Sequence, residues 1–178
     1  MPFILDGYNL IYRDEHLAEI IDERSPRAAR DELLAAARVF AERARREVTV
    51  VFDGGKMSDP ALPRREMRGG VEALYSEYGQ SADDLIEEII AGHRTPADLY
   101  VVSDDKSVGR AIEARGAHKV PVQEFLDKMR QISRRRAGGD GEAGGGGADE
   151  KPAGADDFEV DYWLRAMGLE ESGGEGSR

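Results

Sequence analysis

Phe3-Ile4-Leu5-Asp6 opens this chain: three apolar residues, then a carboxylate, then the turn formers Gly7-Tyr8-Asn9. The pattern returns at Val48-Thr49-Val50-Val51-Phe52-Asp53 and at Leu99-Tyr100-Val101-Val102-Ser103-Asp104. A weaker copy, Val71-Glu72-Ala73-Leu74-Tyr75-Ser76, has Asp83 a few residues on. Short β-branched runs separated by helical stretches predict a parallel sheet in an α/β fold. In such a sheet, functional groups collect beyond the carboxyl ends of the strands. Four carboxylates brought there would repel one another, and a hard divalent cation with oxygen ligands relieves that repulsion. The pattern therefore points to a metal-dependent site, with phosphoryl chemistry as the leading reading.

The intervening stretches fit this scheme. Ser25-Pro26 is a good helix start, and Leu33, Leu34, Ala37, Phe40, Ala41 and Ala44 recur at helical spacing through a helix to about Glu47. Ser81-Ala82-Asp83-Asp84 opens another helix, with Leu85, Ile86, Ile89 and Ile90 on its apolar side. Asp104-Asp105-Lys106-Ser107 begins a third, stopped by Gly116. Lys119-Val120 suits a short fifth strand, with Pro121 starting the helix that follows. Between Gly54 and Gly70 the pattern predicts a long loop, bearing Lys56, Arg64, Arg65 and Arg68.

Composition bounds the function. The 178 residues suffice for one domain with a real core, and the lack of cysteine excludes disulfides and thiolate metal sites. The three histidines, at 16, 93 and 118, form no ligand spacing. No apolar run approaches the roughly 18 residues a membrane helix needs, and no leader pattern is visible, so a cytoplasmic protein is the expectation. The net charge of −11 is uneven: residues 138–178 carry eleven acids and three bases, which leaves the remainder at −3. That is not the basic footprint of a tight, free-standing nucleic-acid binder.

The expected organisation is a body over 1–137 and a flexible Gly/Asp/Glu-rich linker over 138–157. A short amphipathic helix over 158–169, docked on the body through residues such as Trp163, and a disordered tail over 170–178 complete it. A Walker phosphate loop, a Gly-x-Gly-x-x-Gly after the first strand and a Gly-x-Ser-x-Gly elbow are all missing. Each acidic motif also has a plain reading. Asp6-Gly7-Tyr8-Asn9 and Asp53-Gly54-Gly55 are good turns, Ser81-x-x-Asp84 is a capping box, and Asp104 suits a helix cap. Their joint placement on one edge of one sheet weakens those readings.

Taken in order, these motifs resemble a family. Ile4-Leu5-Asp6-Gly7-Tyr8-Asn9-Leu10-Ile11 is similar to the opening signature of NYN domains, a branch of the PIN-like nucleases. Val50-Val51-Phe52-Asp53-Gly54, Ser81-Ala82-Asp83-Asp84 and Val102-Ser103-Asp104 match its later motifs, with the YacP-like NYN group most similar over about residues 3–137. The resemblance implies a three-layer α/β/α sandwich on a mainly parallel sheet, and a metal-dependent endoribonuclease using one or two Mg²⁺ or Mn²⁺ ions. It carries Asp6, Asp83 and Asp104 over as metal-binding and catalytic residues, Asp53 as a fourth metal ligand, and Asn9 as a residue that orients Asp6 or meets a phosphate. RNA, notably mRNA on the ribosome, is the implied partner, with Lys56, Arg64, Arg65 and Arg68 candidates for gripping its backbone. The rival readings are a non-catalytic RNA- or ribosome-binding module and a metal-dependent phosphatase. The sequence leaves the oligomeric state open.

Overall fold

The computed structural model describes residues 1–54, 63–138 and 163. Lys56, nearly all of the expected linker, the terminal helix apart from Trp163, and the tail lie outside them. Six strands form one sheet: β1 (Phe3–Asp6), β2 (Val48–Phe52), β3 (Arg65–Arg68), β4 (Val71–Tyr75), β5 (Tyr100–Val102) and β6 (His118–Val120). Their spatial order is β3-β4-β2-β1-β5-β6. The β3 strand runs antiparallel to β4, and the other pairings are parallel. The helices are α1 (Gly7–Arg13), α2 (Glu15–Glu23), α3 (Pro26–Ala44), α4 (Ala82–Gly92), α5 (Lys106–Arg115) and α6 (Val122–Gly138).

Side chains alternate across a strand, so consecutive residues enter different layers. Phe3, Leu5, Val50, Phe52, Tyr100 and Val102 pack beneath α1, α2, α3 and α6. Ile4, Val51, Leu99 and Val101 pack on the other face against Ile86 and Ile90 of α4 and Val108 and Ile112 of α5. The result is the expected three-layer sandwich. Both faces of β1, β2 and β5 are covered, which explains why these strands read as continuous apolar runs. Trp163 is half-buried and packs against the larger of the two cores. No described helix is long and apolar enough to cross a membrane.

Two segments differ from the sequence expectation. The stretch after Asn9, which reads as a single helical run before Ser25, is broken by Asp14, whose carboxylate accepts the Leu17 N–H and so starts α2. The long loop ends early: Arg65–Arg68 pairs with Val71–Leu74 as a hairpin. Its connector is Gly69-Gly70, with φ of 57° and 87°. Two positive φ values are what a two-residue hairpin turn demands, and a Gly-Gly pair is a recognised signal for it. The charge of the Arg-Glu-Met-Arg run masks that signal, because such a run suits a solvated edge as well as a loop.

The parallel order places β2 and β5 on opposite sides of β1. The chain leaves β1 toward β2 and later returns to β5, so a crevice opens at the carboxyl ends of β1 and β5. Helix α1 begins directly at the end of β1 and lies close against β2. A Cβ on Gly7 would stand 2.3 Å from the Phe52 ring and 2.9 Å from the Val51 carbonyl oxygen. Gly7→Ala should therefore push α1 off the sheet and lower stability by about 1–3 kcal/mol. Thermal unfolding checks this, and an unchanged midpoint would show that the contact yields freely.

Candidate active site

Alternation along β1 turns Asp6 toward the same face as Ile4, the face covered by α4 and α5. Asp6 is 5% exposed. Its carboxylate accepts the Ser103 hydroxyl at 2.9 Å and the Asn9 backbone N–H at 3.2 Å, so it also caps α1. The Asn9 side chain bonds to it as well. Burial nevertheless raises the Asp6 pKa above the usual carboxylate value, with the Asp105 charge adding to it against these hydrogen bonds.

Asp83 and Asp84 divide their tasks. Asp84 completes the capping box of α4: its carboxylate accepts the Ser81 N–H at 2.9 Å, and the Ser81 hydroxyl accepts the Asp84 N–H at 3.1 Å. These bonds lower its pKa. Asp83 stands in the first turn of the same helix and is pushed up to about 6. Partial burial is the largest cause, followed by the charges of Asp105 and Asp6. The charges of Asp6 and Asp105 act on Asp83, and that of Asp105 acts on Asp6, so the three carboxylates are gathered at the crevice between β1 and β5.

The second acidic pair divides in the opposite way. Asp105 caps α5 through the Ser107 N–H and donates its own N–H to the Ser103 hydroxyl at 3.0 Å. Asp104 is turned into the other layer. Its carboxylate accepts the Val122 N–H at 3.3 Å and lies 3.6 Å from the Arg13 guanidinium. Strand alternation accounts for both. Val102 packs on the α6 side and Val101 on the α4–α5 side, so Asp104 continues the first row while Ser103 and Asp105 continue the second. Ser103, fully buried, joins Asp6 to Asp105; sequence reading missed both it and Asp105, although the register of β5 carries the signal.

Asp53 lies half-buried just past β2, beside Gly54, whose N–H donates to the Ser76 hydroxyl at 3.0 Å. It is not among the principal charges acting on Asp6 or Asp83. The arginines expected to grip RNA are engaged within the protein: Arg64 with Glu77, Arg65 with Glu72, and Arg68 with Glu66 and Asp31. They sit on or beside β3, toward the far edge of the sheet from β5.

A family model of the YacP-like NYN domain matches residues 3–142. The chain belongs to this family. Its NYN domain is of the PIN-like RNase type. The crystal structure of Rae1 (YacP) from Bacillus subtilis is similar over 94% of this chain and 84% of that one, with a TM-score of 0.66 and 21% identity. A variant of Rae1 with one tryptophan changed to leucine is similar over 76% of this chain and 79% of that one, with a TM-score of 0.60 and 27% identity. A search of curated proteins gives no significant match.

NYN and PIN-like nucleases generally use divalent metals. The donors at this crevice fit such an ion in chemistry: they are carboxylates, and one of them holds its proton unusually well, chiefly because it is partly buried and also because the others are near. Among the described residues, no three His, Asp or Glu side chains already stand at metal-ligand spacing. Water would therefore complete much of the shell, as Mg²⁺ commonly requires.

Asp83 also fixes a pH dependence. Its folded pKa lies above the unfolded value, so the folded state binds the extra proton, and stability falls as pH rises from about 4 through about 6. In chelator at pH 7, Asp83→Asn should raise stability. With allowance for solvent screening the gain is about 1 kcal/mol, or about 2–4 °C in the melting midpoint. The gain should shrink to a small fraction by pH 4 and vanish below the unfolded pKa, where the wild-type carboxyl is protonated in both states. A gain that persists unchanged at pH 4 would assign it to something other than charge.

Proposed function

We propose that this protein is a metal-dependent endoribonuclease whose site comprises Asp6, Asp83 and Asp105, with Asp53 at its margin. The observation that carries the reading is the buried Asp6 carboxylate at the end of β1, bonded to Ser103, which also accepts the Asp105 N–H at the end of β5, in a chain of the NYN family. Asp6, Asp83 and Asp105 would hold one or two Mg²⁺ or Mn²⁺ ions. Such an ion, when bound, activates water and offsets charge on the scissile phosphate. Asp6 is fixed by Ser103 and Asn9, so its carboxylate needs little reorganisation when substrate arrives. Asp83, whose proton affinity is raised by burial and by the neighbouring charges, would give up that proton as the ion binds.

Asp105 takes the place in this proposal that sequence resemblance gave to Asp104, because the Asp104 carboxylate is turned into the other layer, where it accepts the Val122 N–H. Mn²⁺-dependent cleavage of a labelled RNA separates the two. Asp6→Asn and Asp105→Asn should each lower the rate by roughly 100-fold or more, while Asp104→Asn should stay within about threefold. Loss in Asp104→Asn with full activity in Asp105→Asn would restore the original assignment. Release of inorganic phosphate without internal cuts would replace the nuclease by a phosphatase.

Delivery of mRNA by the ribosome is part of the same proposal. The region 1–137 nets −3, and Arg64, Arg65 and Arg68 are already paired with acids, so long-range attraction to free RNA is weak. A large particle presenting the strand raises its local concentration without such attraction. Cleavage should therefore be slow on naked RNA and faster on ribosome-bound mRNA. Because exposed ion pairs are weak, Arg64→Ala with Arg65→Ala should lower both rates only by a few-fold. Equal rates on free and ribosome-bound RNA at physiological salt would remove the ribosome from the proposal.

A further inference from the structure

A row of aromatic rings runs from the core to the surface and ends on α1, the helix that starts at Asp6. Tyr75 stacks on Phe52 at 5.5 Å between ring centres, Phe52 meets Tyr8 edge-on at 5.7 Å, and Tyr8 stacks with Tyr12 at 6.0 Å with 25° between the planes. The inner members are fixed. Tyr8 packs against the larger core, and its hydroxyl accepts a hydrogen bond of 2.8 Å from the guanidinium of Arg30, a residue only 5% exposed. The last member is open: Tyr12 is 59% exposed. Tyr8 and Tyr12 lie one turn apart on α1, the helix that Asp6 caps. Arg13 follows at once, its side chain 61% exposed and only loosely paired with Asp104 at 3.6 Å.

We propose that Tyr12, backed by Tyr8, is a stacking platform for an unpaired nucleobase of single-stranded RNA, and that Arg13 meets the adjoining phosphate. This rests on the reading of the chain as acting on RNA. A ring held on one side by a second ring, and open on the other, offers its face to a third without further ordering. Stacking of this kind tolerates any base, because every base has a π-face. The neighbouring cation suits an anionic ligand rather than an apolar peptide. Proximity to Asp6 along α1 ties the platform to the crevice, so a base seated on Tyr12 would set which stretch of strand reaches the carboxylates. A duplex keeps its bases stacked on one another and has no face to give, so the platform selects single strands.

The test is binding of a fluorescein-labelled oligoribonucleotide at low salt to the full chain carrying Asp6→Asn, which should leave the RNA uncut. Adding Tyr12→Ala or Tyr12→Leu should weaken single-strand binding by about tenfold, and Tyr12→Trp should keep it. Duplex binding should not change. An abasic site moved along the oligonucleotide should, at one position, abolish the difference between Tyr12 and Tyr12→Leu. Equal affinity of Tyr12→Leu and Tyr12, an equal loss for duplex, or no RNA binding at all would overturn the platform. Cleavage by the chain with Asp6 intact is read separately. Cutting that ignores Tyr12 leaves the nuclease standing without the platform, whereas Tyr12-dependent binding without any cutting leaves the platform and removes the nuclease.

Discussion

The hydrogen bond from Ser103 to Asp6, 2.9 Å long, spans the carboxyl ends of β1 and β5 and fixes a charged group inside the sandwich. A carboxylate 5% exposed is costly unless its oxygens find donors. Here one oxygen takes the Ser103 hydroxyl, and the other takes the start of α1. The arrangement requires β1 and β5 to be neighbours, which in turn requires the chain to cross back over the sheet after β4. Once that topology is set, Ser103 also accepts the Asp105 N–H, so the N-terminus of α5 is positioned by the same side chain. Sheet order, helix starts and the acidic crevice are therefore aspects of one packing solution.

Much of this was legible in the chain itself. The apolar runs ending in Asp6, Asp53 and Asp104 marked three strands, because strands covered on both faces need no polar alternation. Helix starts at Ser25-Pro26 and Ser81 followed from local capping chemistry, which acts over three residues and leaves a compact signal. The choice between Asp104 and Asp105 was harder. Two adjacent acids after a strand look alike in composition, yet they point into opposite layers. Deciding between them needs the face of Val101 and Val102, and an apolar run buried on both sides hides that face. The hairpin at Gly69-Gly70 was obscured for a different reason: an edge strand rich in Arg and Glu resembles a solvated loop.

Electrostatics at the crevice oppose the metal-free fold and favour ligand binding. Three helix N-termini approach the carboxylates, and their partial positive charge favours ionisation. Burial and mutual repulsion act the other way and prevail at Asp6 and Asp83. The Asp105 carboxylate, bonded to Ser107 at the surface of the crevice, stays on the acidic side of its usual range. At a site tuned in this way a bound cation would compete with the proton.

The β3 hairpin has a consequence for life in a crowded solution. Parallel sheets expose rows of unpaired backbone groups at their margins, and such rows template the pairing of one molecule with the next. At one margin this chain places Arg65-Glu66-Met67-Arg68, a strand whose exposed and half-exposed residues are mostly charged. At the other it stops after three residues, His118-Lys119-Val120, with a lysine at the centre. Both margins are thus poor templates for strand addition. The apolar strands between them, which taken alone would be among the most aggregation-prone segments of the protein, are kept from their counterparts in neighbouring molecules.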